Sequence, residues 1–176
     1  ASAVIQTEIT TADSTKIQYA SVDIQRAIIE AEPAKLEFAS VDIQRASIAA
    51  DPTKLEFASS ADRDDMAVIE AAAVQDPSVL QYASAAVQTD IIAADHEKLQ
   101  YASADVQKEI ADLDPAKLQY ASVDVQKEII AADPEQLKHS SIDVQTDIIA
   151  ADPAKLEYAS AVIQTEITTA DSTKIQ

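Results

Sequence analysis

The sequence contains no cysteine and no glycine. Without cysteine there is no disulfide framework, no thiolate zinc site and no cysteine nucleophile. Without glycine there are no nucleotide-binding loops of the kind that bring the backbone against phosphate, and no collagen-like or flexible glycine linkers. Tight β-helix corners, which usually call on glycine, are also disfavoured. Cations are scarce: 13 Lys and Arg stand against 31 Asp and Glu, for a net charge of −18. That balance excludes a phosphate-tracking nucleic-acid surface and an anionic-membrane surface, and leaves basic proteins or diffuse cations as partners. Aromatic residues make up only 4%, and no apolar run approaches the roughly 20 residues of a membrane span.

What is present is a repeat. All seven Tyr and Phe residues share one register: Tyr19, Phe38, Phe57, Tyr82, Tyr101, Tyr120 and Tyr158, with His139 in the remaining place. The spacing is 19 residues, except for 25 between Phe57 and Tyr82. Ser follows two residues later throughout, and a Gln recurs four residues beyond it, as Gln25, Gln44, Gln88, Gln107, Gln126, Gln145 and Gln164. All six prolines occupy one place: Pro33, Pro52, Pro77, Pro115, Pro134 and Pro153. Residues 1–18 are identical to 159–176, an offset of 158. The chain therefore reads as a single continuous array over 1–176. Its seven units over 19–158 include the long one at 57–81, and 158–176 begins the next block of a larger protein built from 158-residue blocks.

Each unit carries two helix starts. Asp before Pro is an N-cap followed by a residue whose missing N–H is not needed at the first helical position. It predicts a short helix over TKLEFAS after Asp51, and the pair Asp13-Ser14 and Asp171-Ser172 keep the cap without Pro. The recurrent Ser predicts a second start, its hydroxyl capping VDIQRASIAA after Ser40. Two helices of about two turns each are too short to stand alone, so neighbouring units must stack. This predicts an all-α solenoid of helix-turn-helix repeats, with Leu, Ile, the aromatic and Ala as core. The six extra residues near 61–66 are expected to lengthen one hairpin. The alternative is a β or mixed β/α solenoid, because KLEF and SVDIQ alternate with period two.

The long unit resembles a family of helical repeats of unknown function from protists and bacteria. That family carries L-x-Y-A-S, here Leu80, Tyr82, Ala83 and Ser84. A second stretch of its pattern is met by Asp64, Asp65, Val68, Ala71, Ala72, Val74 and Gln75. The resemblance covers one unit in eight. It implies a helical array and supplies no catalytic residues.

The candidate sites are few. Asp62, Asp64 and Asp65 form the tightest acidic cluster and are the candidate metal ligands, though they lack the Gly and bidentate Glu of a helix–loop–helix calcium site. The aromatic series offers a binding ladder or a packing row. The Gln series offers an amide ladder, because identical amides can satisfy each other and the next unit's backbone. His96 and His139 replace Pro and an aromatic and read as drift within the repeat. No residue set points to catalysis or to a cofactor. The sequence therefore predicts a structural rod, filament or spacer whose main partner is its own neighbouring copies, extracellular if it is a filament. A peptide-binding scaffold and an acidic, calcium-responsive module are the alternatives.

Overall fold

In a computed structural model the backbone of residues 2–173 and the side chains of residues 2–170 are described. Among them there is helix and no strand, so the β alternative falls. The chain forms two compact units, Ala1–Gln88 and Thr89–Gln176. In the first, α-helices alternate with 3-10 helices (η): α1 (Ala3–Ala12), η1 (Ser14–Tyr19), α2 (Val22–Ala31), η2 (Pro33–Phe38), α3 (Val41–Ala50), η3 (Pro52–Phe57), α4 (Ser60–Arg63), α5 (Met66–Gln75) and η4 (Pro77–Tyr82). Helix α6 (Ala85–Ala94) contains the boundary. The second unit continues as η5 (His96–Tyr101), α7 (Ala104–Leu113), η6 (Pro115–Tyr120), α8 (Val123–Ala132), η7 (Pro134–His139), α9 (Ile142–Ala151), η8 (Pro153–Tyr158) and α10 (Ala161–Thr173).

The repeat is thus an α-helix of ten residues, nearly three turns, followed by a 3-10 helix of six. The second helix was expected to be α-helical. It is tightened by its own start signal. Asp51 sits extended before Pro, its carboxylate accepts the Thr53 N–H at 3.2 Å, and its carbonyl accepts the Lys54 N–H at 3.1 Å, an i→i+3 bond. The turn closes the same way at the other end, where Ala58 N–H donates to Leu55 O at 3.1 Å. With three residues per turn, side chains three apart line up in ridges. Pro52, Leu55 and Ala58 make the inward ridge, and Lys54 and Phe57 make a second one that is half-buried. The Asp13 carboxylate caps η1 without a Pro, accepting the Thr15 N–H at 3.0 Å. The corresponding Asp171 lies outside the described side chains, and the backbone there continues α10 to Thr173.

The core follows from these ridges. Ile17, Leu36, Leu55, Leu80, Leu99, Leu118 and Leu137 are sealed from solvent, each followed three residues later by a buried Ala, except that Ala20 after Ile17 is half-buried and Ser140 follows Leu137. Ser140 satisfies its hydroxyl by donating to Leu137 O at 2.8 Å. From the α-helices come an Ile or Val three residues after the Ser and an Ile eight after it, such as Ile43 and Ile48, with Ala111 in the second place in α7. Burying each such side chain stabilises by about 1.5–3 kcal/mol. The aromatics were expected in this core and are not part of it. Phe38, Phe57, Tyr82, Tyr101 and Tyr158 are half-buried, and Tyr19 and Tyr120 are exposed. On a 3-10 helix the aromatic lies one ridge away from the Leu, so it covers the core edge instead of entering it.

The long repeat was expected to have a longer hairpin. It instead gains a separate four-residue helix, α4, ahead of a full-length α5. The Asp64-Asp65 pair breaks the two apart: Asp65 turns extended and caps α5, accepting the Ala67 N–H at 3.0 Å.

Candidate functional site

The chemistry that recurs from repeat to repeat is a buried glutamine. Gln25, Gln44, Gln88, Gln107, Gln126 and Gln145 are all buried. In Gln126, 2% exposed, Nε2 donates to Ala121 O at 2.7 Å and to Gln119 O at 3.5 Å within its own repeat. Its Oε1 accepts the N–H of Ser141, fifteen residues on, at 2.8 Å. In the first unit the same bond joins Gln6, Gln25 and Gln44 to the Ser21, Ser40 and Ser59 N–H groups at 2.9, 2.9 and 3.0 Å. In the second it also joins Gln107 to Ser122 and Gln145 to Ser160 at 2.8 and 2.9 Å. The amides form a ladder, but each rung runs from side chain to backbone, and no Gln pairs with another Gln among these rungs. The amide suits the task because it donates and accepts at once.

This corrects the expected role of the serines. They do stand at the N-caps of the α-helices, but Ser21, Ser40, Ser103 and Ser141 make no side-chain capping bond. Ser59, Ser84 and Ser122 make long ones, at 3.3, 3.5 and 3.5 Å. The extended backbone at the Ser (φ −62°, ψ 150° at Ser40) turns its N–H out of the following helix and onto the preceding repeat's Gln.

The long repeat departs from the ladder. Its Gln place holds Arg63, and the rung is supplied by the Arg63 carbonyl, which accepts the Ser84 N–H at 3.0 Å. Helix α4 ends at Arg63, which leaves this carbonyl available. The neighbouring place, filled elsewhere by buried Ile43, Val106, Val125 or Val144, holds Asp62, only 1% exposed. A buried carboxylate must be paired. Arg45 of the preceding repeat donates from Nε to Asp62 Oδ1 at 3.1 Å and from Nη2 to Asp65 Oδ2 at 2.7 Å, and the Ser59 hydroxyl donates to Asp62 Oδ2 at 3.2 Å. The hydrogen bond to Asp62, with the fields of Asp65 and Asp62, holds the Arg45 proton more firmly than usual.

The candidate metal cluster is therefore divided. Asp62 and Asp65 are gathered on a cation of the chain itself, while Asp64 is exposed at the end of α4. Among the described residues no group of three or more Asp, Glu, His or Cys is placed to hold a metal ion. Among the described residues, Arg45 to Asp65 is one of three cation–anion pairs with the same twenty-residue offset. The others are Lys108 to Glu128 at 2.7 Å and Lys127 to Asp147 at 3.7 Å. Being exposed, the two lysine pairs contribute little to stability.

The histidines sit on the 3-10 ridges. His96 lies 6.1 Å, centroid to centroid, from the Tyr120 ring and hydrogen-bonds Lys117. His139 is half-buried in the aromatic row. Lys155 stands over the Tyr158 ring at 5.7 Å, a cation–π contact made by the period of three. Among the described residues no helix is long and apolar enough to cross a membrane.

The Gln rungs, the inward Leu ridge and the Asp62 clamp all join one repeat to the next. The glutamine function was visible in the sequence as a register. The Arg45–Asp62 pair was not, although an Asp in a place otherwise kept for Ile or Val was the signal. No family model matches the chain, and neither a curated protein nor a solved structure matches it.

Proposed function

We propose that this chain is a structural or scaffolding repeat protein, a section of a tandem array of 158-residue blocks that serves as a filament or spacer and has no catalytic role. The observation that carries the proposal is the Gln rung. The buried amides at this position are committed to the repeat's own carbonyls and, wherever the rung is described, to the following repeat. A stack held by such nearest-neighbour bonds can be extended indefinitely, and open head-to-tail contacts generate filaments. The acidic coat then draws cations or basic proteins diffusely. Electron microscopy of the native, full-length material tests this. A continuous filament whose axial repeat corresponds to 158 residues is expected, and discrete particles with an open groove would refute it.

The same proposal includes kinship with the L-x-Y-A-S repeats. The matching residues fall on α5 and η4 and on the break before α5, so a family member with a helix broken at that place would support it. One observation favours a second reading, a peptide-binding scaffold: the aromatic row is half-exposed and carries a Lys three residues before most of its rings. Binding of a peptide library to the intact chain, lost on replacing Tyr101 and Tyr120 by Ala, would move the assignment to that reading.

A further inference from the structure

We infer that the hollow between α7 and α8 is a docking site for an aliphatic side chain carried on a basic segment of another protein. The inference goes beyond the structural reading above and does not depend on whether the blocks form a filament.

The hollow follows from one residue. Eight places after the serine, other repeats bury Ile29, Ile48, Ile92, Ile130 and Ile149. In α7 that place holds Ala111, so an Ile side chain is shortened to a single methyl. The surroundings of such a site collapse only in part, and a hollow of about 240 Å³ lies at the seam with the next repeat. Buried Ala111 and Leu118 and half-buried Ile129 form its apolar floor, while Asp112 and Asp133 stand exposed at its mouth. Pockets for drug-sized ligands measure roughly 300–1,000 Å³, so this smaller one suits a single side chain of Leu or Ile size.

The charge at the mouth selects what carries that side chain. The Gln136 amide at 3.0 Å and the Glu135 N–H at 3.1 Å donate to Asp133 and hold its carboxyl below the ordinary range. The Asp112 carboxylate has no partner among the described residues. Among those residues no Lys or Arg lines the hollow. A cation next to the entering side chain therefore meets two carboxylates, the complementarity that fixes register and selects partners. A second copy of this chain is the wrong partner by the same rule. Its exposed Leu113, Val123 and Ile142 stand next to Asp112, Asp124 and Asp143, and docking any of them sets carboxylate against carboxylate.

NMR titration of the 176-residue chain with three acetylated and amidated pentapeptides, KKLKK, KKAKK and EELEE, tests this at physiological salt. KKLKK and KKAKK carry the same charge, so diffuse attraction to the acidic chain cancels between them. KKLKK is expected to shift the Ala111 and Ile129 amides saturably, and the other two to bind there at least about tenfold more weakly. Ala111→Ile restores the residue of the other repeats and should abolish these shifts while the melting temperature stays the same or rises. Asp112→Asn, at an exposed position, leaves the floor intact and should weaken KKLKK by about two- to fivefold, as an exposed ion pair does. KKAKK shifting the two amides as strongly as KKLKK, KKLKK binding unchanged in Ala111→Ile, or no saturable shift at these amides would each overturn the inference. Saturable shifts confined to the aromatic row at Tyr101 and Tyr120 would also overturn it, and would place the peptide there instead. None of these outcomes bears on filament formation, which electron microscopy reads separately.

Discussion

Replacing Gln126 by leucine keeps the volume of the side chain and removes its hydrogen bonds. Besides the exposed Gln119 carbonyl, which water can serve, two backbone groups lose their partners: Ala121 O, in a buried residue, and the Ser141 N–H of the next repeat. A buried polar group left unsatisfied costs about 1–3 kcal/mol. Two such groups, offset in part by the better burial of leucine, give a loss of about 2–4 kcal/mol. For a chain of this size that lowers the melting temperature by roughly 5–15 °C. The control is Gln119→Leu, whose exposed amide donates only to Ala116 O at 3.0 Å and whose loss costs about 0.5 kcal/mol or less. Urea denaturation gives both numbers, and hydrogen exchange at the Ser141 amide locates the effect, with an acceleration of at least about tenfold for each 1.4 kcal/mol lost there. Gln126→Glu sharpens the argument. The new carboxylate still accepts from Ser141 but sets an oxygen against Ala121 O, so burial pushes its pKa above the ordinary glutamate value. An acid with a raised folded pKa binds more protons when folded. The variant is therefore most stable below the unfolded glutamate pKa and loses stability as pH rises through the folded one. If Gln126→Leu and Gln119→Leu cost the same, or if Ser141 exchange is unchanged, the rung is not what couples these repeats.

Asp62→Leu restores the apolar residue of the other repeats and should leave stability unchanged or raise it, whereas Arg45→Met strands a buried carboxylate and should lower the melting temperature by several degrees. The double variant should recover most of that loss in thermal denaturation. The Asp133 carboxyl, held below the ordinary value by the Gln136 side chain and the Glu135 N–H, should titrate low by NMR and move back up in Gln136→Ala. Its contribution to stability is present above the unfolded aspartate pKa and is lost as pH falls through the folded value. Added sodium chloride should raise the melting temperature, because it screens repulsion within a chain of charge −18 more than it weakens the few exposed pairs. A falling melting temperature would contradict that balance.

The helical class and the register of the stack were legible because proline, aromatic, serine and glutamine all recur in one common register. The Asp-Pro step announced a helix start correctly, but capping says nothing about which helix follows. The ridge Pro52, Leu55, Ala58 held that information, as a period of three that a helical period of 3.6 and a strand period of two both fail to fit. The aromatic was assigned to the core because large apolar side chains usually belong there, and the ridge geometry puts it one face away. The serines misled for a similar reason. Their hydroxyl suits a cap, yet the group used is the N–H that every residue but proline carries. The Arg45 clamp was illegible because it depends on where α4 ends, and two adjacent aspartates decide that.

Because each rung is accepted from a main-chain N–H, the glutamine does not read the side chain of the repeat that follows. Any repeat with the right backbone at the serine can succeed any other, and whole repeats can be gained, lost or shuffled by recombination without a matching change elsewhere. The long repeat is the exception: its buried Asp62 requires an arginine at the right place in its predecessor, and of the other repeats only the one carrying Arg26 offers one. Copy number is thus free to drift over most of the array, while the order Arg45-repeat, long repeat is inherited as a pair.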